Sequence, residues 1–385
     1  MNEFYLMLCA LPDTRYDRHK LHRLADIVYL AIFAILAGAD TWDDIWEICD
    51  ENLDFLRGVL RLENGIPSIT TFRRVMSRVD PKRLINILQE QAYRLSGEYF
   101  KEKTVAFDGK TVRGSRDGVN GKDAIHCLSA YCTENHTVIR QIIGSKKESE
   151  ITMLPAIISE IDLSGATVTI DAIGCQKTVT DAIIGAKADY MIALKDNQKT
   201  AKDDVEKLFE DLDMKEEYST AERYVSYDGG HGRVEERIAT SICLKDKRIE
   251  SLDKFQGIQS VVKMTSIVDR GQKRSVENRY YISSHEANAK KQAGIIRSHW
   301  AIENSLHYVL DVIFDEDASR SRKDHLADNL STLRKLAMNI LSKERSNATS
   351  KKKPTFKSLR RKCLMNLERP LKLIQEAFGK QAEFK

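Results

Sequence analysis

The sequence predicts an α/β protein, with a mixed sheet that is covered by helices, preceded by an all-helical region and interrupted by a β-rich insertion. Apolar residues recur at helical spacing through residues 1–95. From Lys103 the period changes to the alternation typical of strands, in the element order βββαβαβ. Residues 200–285 alternate again, without helices between the strands. At 385 residues the chain is too long for one compact core, so two or three domains are expected.

These changes of pattern set the expected domain boundaries. We expect a helical N-terminal domain at residues 1–98, an α/β domain at 99–199 and 286–345, a β-rich insertion at 200–285 and a basic C-terminal tail at 346–385. The tail is assigned from its charge, since Lys and Arg crowd between Lys351 and Lys362 without an acid. Such runs are usually solvated, although they can also contact phosphates.

The N-terminal region contains a candidate DNA-contacting helix. Leu21–Ala37 predicts a buried apolar helix, and Thr41 is placed to cap the helix that follows. A later short helix, Ile69–Arg78, carries Arg73 and Arg74. This layout is compatible with the recognition helix of a helix-turn-helix unit. It is equally typical of a small solvated helix, and both interpretations stay open.

The α/β region begins with three strands joined by short turns, which predicts an antiparallel meander. Two further strands follow through helical crossovers, and they are expected to be right-handed. The predicted elements are strands at 104–112, 124–131, 138–143, 166–171 and 190–194, with helices at 150–161 and 177–185. In the order βββαβ, the first and fourth strands are expected to be neighbours in the middle of the sheet.

Composition narrows the class of protein. The net charge of +4 is modest and does not by itself indicate nucleic-acid binding. The seven cysteines are scattered without a CxxC pair, which fits a reducing cytoplasm and argues against a disulfide framework. The longest apolar run, Ile27–Gly38, is too short to span a bilayer, and no signal peptide is visible. We therefore expect a cytoplasmic protein that does not contact membranes.

Two aspartates stand at the expected strand ends. Asp108 precedes Gly109 at the end of the first strand, and Asp171 follows the fourth strand. If those strands are neighbours, the two carboxylates lie side by side and repel each other unless a cation sits between them. Either aspartate alone could equally be a turn or cap residue.

A third acid lies on the segment from Arg297 to Asp317, which predicts one long helix with an apolar stripe. Glu303 sits at the edge of that stripe, with His299 and His307 one turn on either side. On its own, Glu303 is either a boundary charge or a ligand. Carboxylates alone favour Mg²⁺ or Mn²⁺, and three acids could hold two ions about 4 Å apart.

Several motifs together carry a resemblance to a known family. They are AFDGKTVRGS (106–115), TIDAIGCQK (169–177), ADYMIALKDNQ (188–198), HGRVEER (231–237) and HWAIENSLHYVLDVIFDEDASRSR (299–322). With them the chain resembles the H-repeat-associated (ISAs-type) DDE transposases of bacterial insertion sequences, over nearly all of residues 5–345. The resemblance implies a ribonuclease-H-like domain with its β insertion between the second Asp and the Glu. It also implies that Asp108, Asp171 and Glu303 are the catalytic and metal-binding acids.

The family's chemistry is then expected here. The resemblance implies Mg²⁺- or Mn²⁺-dependent hydrolysis of phosphodiesters at transposon ends, with two ions per active site, and transfer of the freed 3′ hydroxyl into target DNA. The partner is double-stranded DNA, bound by a homodimer at the bacterial nucleoid. A catalytically inactive or domesticated DNA-binding protein derived from a transposase is the alternative. A general two-metal nuclease without strand transfer is a third interpretation.

The sequence departs from related transposases at a few positions. Where relatives with a β insertion often carry Tyr, Arg and Lys around the Glu, this chain has Ile296, His299 and Leu310. Glu148 and Ser149 also differ from the more frequent residues of their loop.

Further polar residues are candidates for DNA contacts. The candidates are Arg73, Arg74, Lys110, Arg113, Lys195, Gln198, Arg297 and His299. Ordinary surface charge remains the alternative for each of them. We expect Trp300 to pack in the core, and we hold Asp311 as a reserve ligand.

Overall fold

The computed structural model describes most of the chain. The described residues are 3–16, 18, 20–96, 100–144, 150–215, 221–230, 233–269 and 274–378. The loop that contains Glu148 and Ser149 lies outside them. No described helix combines the length and the apolar surface that a bilayer crossing requires.

The N-terminal region is helical, as predicted. It contains α1 (Glu3–Cys9), α2 (Leu24–Leu36), α3 (Trp42–Glu51), α4 (Leu53–Arg57), α5 (Ile69–Met76) and α6 (Pro81–Ser96). Every residue of α2 is buried, in keeping with its unbroken apolar sequence. Thr41 caps α3, and Asp44 completes a capping box with it. Ser68 caps α5, which fixes where this arginine-bearing helix begins.

One mixed sheet of nine described strands runs through the molecule, in the order β3-β2-β1-β4-β5-β9-β8-β7-β6. Its strands are β1 (Thr104–Thr111), β2 (His126–Cys132), β3 (Thr137–Gly144), β4 (Thr167–Ile170), β5 (Asp189–Leu194), β6 (Ala221–Gly230), β7 (Arg233–Cys243), β8 (Ser260–Asp269) and β9 (Arg274–Ser283). The helices between them are α7 (Glu150–Ser159), α8 (Lys177–Gly185) and α9 (Lys199–Lys215). The meander β1-β2-β3 is confirmed, and β4 lies beside β1 in parallel as predicted.

The β-rich insertion does not form a sheet of its own. Its last strand, β9, pairs antiparallel with β5, so the four strands continue the central sheet. Without this pairing β5 would leave its backbone N–H and C=O groups open at the edge, and extension of the sheet satisfies them.

The prediction of one long helix from Arg297 to Asp317 is wrong in two respects. A π-helical turn interrupts the helix, and the helix ends before Asp317. The structure has α10 (Ala289–Ala301), a π-helical turn (Ile302–His307) and then a short α11 (Tyr308–Val312). The chain leaves the helix after α11, and Glu316 turns inward to become fully buried. The residues that Glu316 contacts lie elsewhere in the chain, so helical periodicity alone could not predict where the helix ends.

The last helices join the N-terminal region to the sheet. In α12 (Leu326–Asn347), the Asn339 side chain accepts a hydrogen bond from the backbone N–H of Val138 on β3 and donates one to its C=O. The predicted basic tail instead contains α13 (Phe356–Met365) and α14 (Glu368–Phe378). Phe378 stacks on Phe4 of α1 with ring centroids 4.2 Å apart. The density of Lys and Arg in this segment concealed its apolar stripe.

Gly114, in the turn after β1, provides a test of how the loop that follows α11 is held. A Cβ at Gly114 would lie 2.4 Å from the carbonyl oxygen of Ser319 and 2.6 Å from that of Asp317. Because both atoms belong to the backbone, Gly114→Ala should lower the free energy of unfolding by about 2 kcal/mol. Urea denaturation measures this. Gly118→Ala is the matched control, since a Cβ there meets nothing within 4 Å. Equal stability of the two variants would contradict the packing described here.

Candidate active site

Two acids meet where the parallel strands β1 and β4 separate. The last paired residues of these strands are Phe107 and Ile170, and each is followed directly by an aspartate, Asp108 or Asp171. Asp171 follows its strand, as predicted. Asp108 does not end its strand, because β1 stays paired with β2 as far as Thr111. Because β1 and β4 are neighbouring strands, both aspartates nevertheless lie next to the point where the strands separate.

The π-helical turn brings Glu303 to this point. Ile302 and Leu306 of this turn are buried and hold the turn against the core. Nδ1 of His307 lies 3.5 Å from Asp108 Oδ2 and 3.5 Å from Glu303 Oε2. Ligand atoms of Asp108, Glu303 and His307 all lie within 4.8 Å of one another. The sequence placed His307 on the same face as Glu303 but gave it no role.

The electrostatics of the cluster favour a cation. Burial, reinforced by the carboxylates of Glu150, Glu303 and Asp171, raises the pKa of Asp108 to about 7. Burial and the Glu150 carboxylate also raise the pKa of Asp171, while the nearby Lys195 opposes that rise. Bringing several carboxylates together in a partly buried place is costly without a positive charge between them. The donor set therefore fits a divalent cation.

Substitution of Asp108 tests this electrostatic strain. In metal-free buffer at pH 7 or above, Asp108→Asn should raise the free energy of unfolding, on the order of 1 kcal/mol, because it removes a buried negative charge. The folded protein holds the Asp108 proton more tightly than the unfolded chain does. The bound proton therefore stabilises the folded protein at low pH, and this stabilisation is lost as the pH rises from near 3.8 to about 7. Urea titrations across this range should show the variant's advantage growing with pH, and an advantage that shrinks would contradict the argument.

A fourth acid, Glu150 at the start of α7, also faces the aspartates. Its Oε1 lies 2.9 Å from Nε2 of His126 on β2. The carboxylate occupies the space above Gly109, where a Cβ would lie only 2.1 Å from that oxygen. Sequence reasoning treated Glu150 only as a helix start. The glycine directly after Asp108 was the available signal that another group approaches closely there.

The comparisons with known proteins agree with this geometry. The sequence profile described as Transposase DDE domain matches residues 99–340, and the one described as DDE_Tnp_1-associated matches residues 6–91. The chain belongs to the DDE transposase family. The sheet order β3-β2-β1-β4-β5, with β4 parallel to β1, confirms the ribonuclease-H-like arrangement that the sequence resemblance implied.

Relatives of this transposase family cover most of the chain. The protein named "Putative transposase YncI" of Escherichia coli O157:H7 is 36% identical over 341 residues, which are 87% of this chain and 86% of the relative. "H repeat-associated putative transposase YhhI" of Escherichia coli K12 is 34% identical over 344 residues, 88% of this chain and 90% of the relative. "Inactive transposase YbfQ" of the same strain is 42% identical over 67 residues, 17% of this chain and 80% of the relative.

In this family member a cavity of about 480 Å³ opens beside the acids. Lys195 lines it, as a phosphate contact requires. His299 also lines it, with Nδ1 3.0 Å from the Thr169 hydroxyl. Burial lowers the pKa of His299 to about 4, so the ring is neutral at pH 7. It can offer a phosphate a hydrogen bond but no charge.

Trp300 borders the same cavity and does not pack in the core as predicted. It is 49% exposed. The guanidinium of Arg279 on β9 lies 5.2 Å from the centroid of its ring, and Glu277 holds that guanidinium through two hydrogen bonds. Trp300 lies two residues before the buried Ile302, and therefore on roughly the opposite side of the helix from the core.

Two of the predicted DNA contacts are engaged in contacts within the protein. The ammonium of Lys110 lies among three carboxylates, those of Asp311, Glu316 and Asp317. The reserve ligand Asp311 therefore forms an ion pair with Lys110. Gln198 donates to the backbone C=O of Cys175 and holds the turn after β5.

The other predicted contacts are accessible. The Arg113 side chain is 85% exposed, and Arg73 and Arg74 are exposed on α5. Arg297 pairs with Asp228 of β6 at 2.6 Å and is 60% exposed. This pair joins the insertion to α10, the helix that leads into the π-helical turn.

Proposed function

We propose that this protein is a catalytically active DNA transposase. It hydrolyses a phosphodiester at each end of its element and joins the freed 3′ hydroxyl to target DNA. The observation that supports the proposal is that Asp108, Asp171 and Glu303, from three elements, line one cavity. Burial and neighbouring acids raise the pKa of Asp108 there to about 7.

The three acids would hold two divalent ions, Mg²⁺ or Mn²⁺. Bound there, the ions supply Lewis-acid chemistry to the attacking and leaving oxygens. The chain's own groups orient the DNA. Lys195 would neutralise a phosphate beside Asp171, and His299, which lines the same cavity, would donate a hydrogen bond to it. Since water and then the DNA hydroxyl are the nucleophiles, no covalent protein–DNA intermediate is needed.

The helical region at residues 1–98 is proposed to bind the element's ends. A cleft of about 990 Å³ lies between α3, α5 and the loop that precedes α12. Its cationic lining consists of Arg73, Arg74, Lys122, Arg320, Arg322 and Lys323. Acids temper this charge, and Asp43 pairs directly with Arg73 at 2.5 Å. Such a mixed lining suits contact with a few phosphates better than with a long uniform backbone.

Two neighbouring arginines give a graded test of this cleft. Arg74→Ala should weaken DNA binding about fivefold and reduce the slope of log affinity against log salt by roughly one. Arg73→Ala should have the smaller effect, because Asp43 already offsets its charge. Fluorescence anisotropy in about 50 to 300 mM KCl measures the affinity and the salt slope of both variants. Arg61→Ala, exposed and outside the cleft, is the control. An unchanged salt slope for Arg74→Ala would exclude α5 from the interface.

Synapsis of two element ends requires two active sites, so we propose a homodimer on DNA, acting at the nucleoid in the bacterial cytoplasm. Light scattering with and without a duplex that carries the element's end measures the stoichiometry. A single complex of two chains with two duplexes is the expected result, and complexes of one chain with one duplex throughout the reaction would contradict it.

Incubation with the DNA that flanks its own gene tests the function. In Mg²⁺, wild-type protein should nick at the element's ends and join the 3′ ends to a second duplex, and Asp171→Asn should do neither. Cleavage without end preference or joining would favour a general nuclease. Binding without cleavage would favour an inactive DNA-binding protein, an alternative made relevant by the relative named inactive.

A further inference from the structure

We propose that His307 is a metal ligand, so that one divalent ion of the active site is bound by Asp108, Glu303 and an imidazole nitrogen. This inference rests on the proposed function and deepens it. The site would then be a mixed nitrogen–oxygen site that favours Mn²⁺ over Mg²⁺. The sequence predicted oxygen ligands alone.

The first support is that the His307 ring lacks good hydrogen bonds. Its side chain is only 10% exposed. Nδ1 lies 3.5 Å from one oxygen of Asp108 and 3.5 Å from one of Glu303, both longer than an ordinary N–H···O bond. Nε2 is buried and has no hydrogen-bond partner among the described residues. A buried imidazole without a well-made bond at either nitrogen is costly, and such groups usually have a function.

The second support is the spacing of the three groups. Two ligand atoms about 2.1 Å from one ion are separated by roughly 3 Å when they are adjacent in an octahedron and by roughly 4.2 Å when they are opposite. The His307 nitrogen stands 3.5 Å from each carboxylate oxygen, between these limits. An ion placed among Asp108, Glu303 and His307 therefore needs only small side-chain movements.

The third support is the backbone that presents the pair. Glu303 and His307 both lie in the π-helical turn, while Ile302 and Leu306 of the same turn are buried in the core. A π turn is less favourable than the α-helix it interrupts, and it occurs frequently at functional sites. Here it widens the helix where Glu303 and His307 reach Asp108. Metal binding by Glu303 and His307 would explain why this less favourable turn is present.

The nitrogen ligand has a consequence for metal preference. Mg²⁺ strongly prefers oxygen ligands, whereas Mn²⁺ is the softer ion and accepts imidazole. His307→Gln, which offers an amide oxygen in place of the ring, should lower Mn²⁺ affinity at least about tenfold and should lower Mg²⁺ affinity less. The preference for Mn²⁺ over Mg²⁺ should thus shrink in this variant.

The direct test is pulsed electron paramagnetic resonance of the full-length protein with Mn²⁺ alone. Wild-type protein should show a directly coordinated ¹⁴N, and labelling with ¹⁵N-histidine should convert the coupling to that of ¹⁵N. His307→Gln should lose the coupling. His299→Gln, which alters the other buried histidine near the acids, should retain it. If His307→Gln fails to fold, coupling in the labelled wild-type protein that survives in His299→Gln still supports His307 as the ligand.

Three outcomes would overturn the proposal: Mn²⁺ bound without nitrogen coupling, coupling that survives in His307→Gln, or no Mn²⁺ binding at all. Failure of the proposed function looks different. In that case nitrogen coupling is present, yet the protein neither nicks nor joins DNA that carries the element's ends in either metal.

Discussion

Glu303→Gln should abolish DNA cleavage and leave the fold unchanged. The carboxylate is 62% exposed and lies at the mouth of the cluster, so its replacement by an isosteric amide removes a negative metal ligand without disturbing the core. Loss of roughly 4 kcal/mol of transition-state stabilisation corresponds to about a thousandfold in rate. Single-turnover nicking of a duplex with the element's end, in Mg²⁺ and in Mn²⁺, measures this rate.

The controls separate a catalytic effect from a folding defect. Glu250→Gln alters an exposed carboxylate outside the cavity and should cleave at the wild-type rate. The urea midpoint and the DNA affinity of Glu303→Gln should both match those of the wild type. Wild-type cleavage by Glu303→Gln would remove this residue from the active site, however well the geometry suits it.

Glu316→Ala should cause the largest loss of stability. The Glu316 carboxylate is 1% exposed, and it lies 2.9 Å from Lys110 while also accepting a hydrogen bond from Ser331. Burial alone would raise the pKa of Glu316, but Lys335 and Lys110 lower it to about 2. Removing the acid leaves two buried ammonium groups without their main partner, which should cost about 3–5 kcal/mol of unfolding free energy.

The depressed pKa of Glu316 also predicts how stability depends on pH. The stabilisation from this carboxylate is fully present above its unfolded value of 4.5 and is lost as the pH falls towards about 2. Urea titrations between pH 7 and pH 3 should therefore show the difference between wild type and Glu316→Ala narrowing. Glu277→Ala, which breaks an exposed pair with Arg279, should cost less than about 1 kcal/mol. An equal cost for the two variants would contradict the role given to burial.

Much of the catalytic geometry follows from local sequence pattern. The alternation in TVTI placed Asp171 after a buried strand, and the order βββαβ placed that strand beside β1. These two inferences are enough to bring Asp108 and Asp171 together. They rest on periodicity and on the handedness of crossovers, both of which act within short segments.

The rest depends on partners that are distant in the chain. Asp108 lies inside β1 and not at its end, because β2 supplies hydrogen bonds as far as Thr111 opposite His126. The segment after α11 leaves the helix where Glu316 meets Lys110, which lies 206 positions away. Neither partner can be read from the residues next to it.

The π-helical turn was also beyond prediction from periodicity. Its buried residues Ile302 and Leu306 are four apart, as in an ordinary helix, so the apolar pattern looked unbroken. The same turn carries His307, whose Nδ1 lies 3.5 Å from Asp108 and from Glu303. The C-terminal helices were missed for another reason, since a high charge density can coexist with a buried stripe such as Phe356, Leu359 and Cys363.

The central claim is that the clustered acids bind the metal that cleaves DNA. Its most direct test measures Mn²⁺ binding by calorimetry and single-turnover nicking on the same samples of wild type and Asp171→Asn. We predict that the variant loses both, with weaker or fewer bound ions and a nicking rate at least about a thousandfold lower. A variant that binds Mn²⁺ poorly yet nicks the element's end at the wild-type rate would contradict the account.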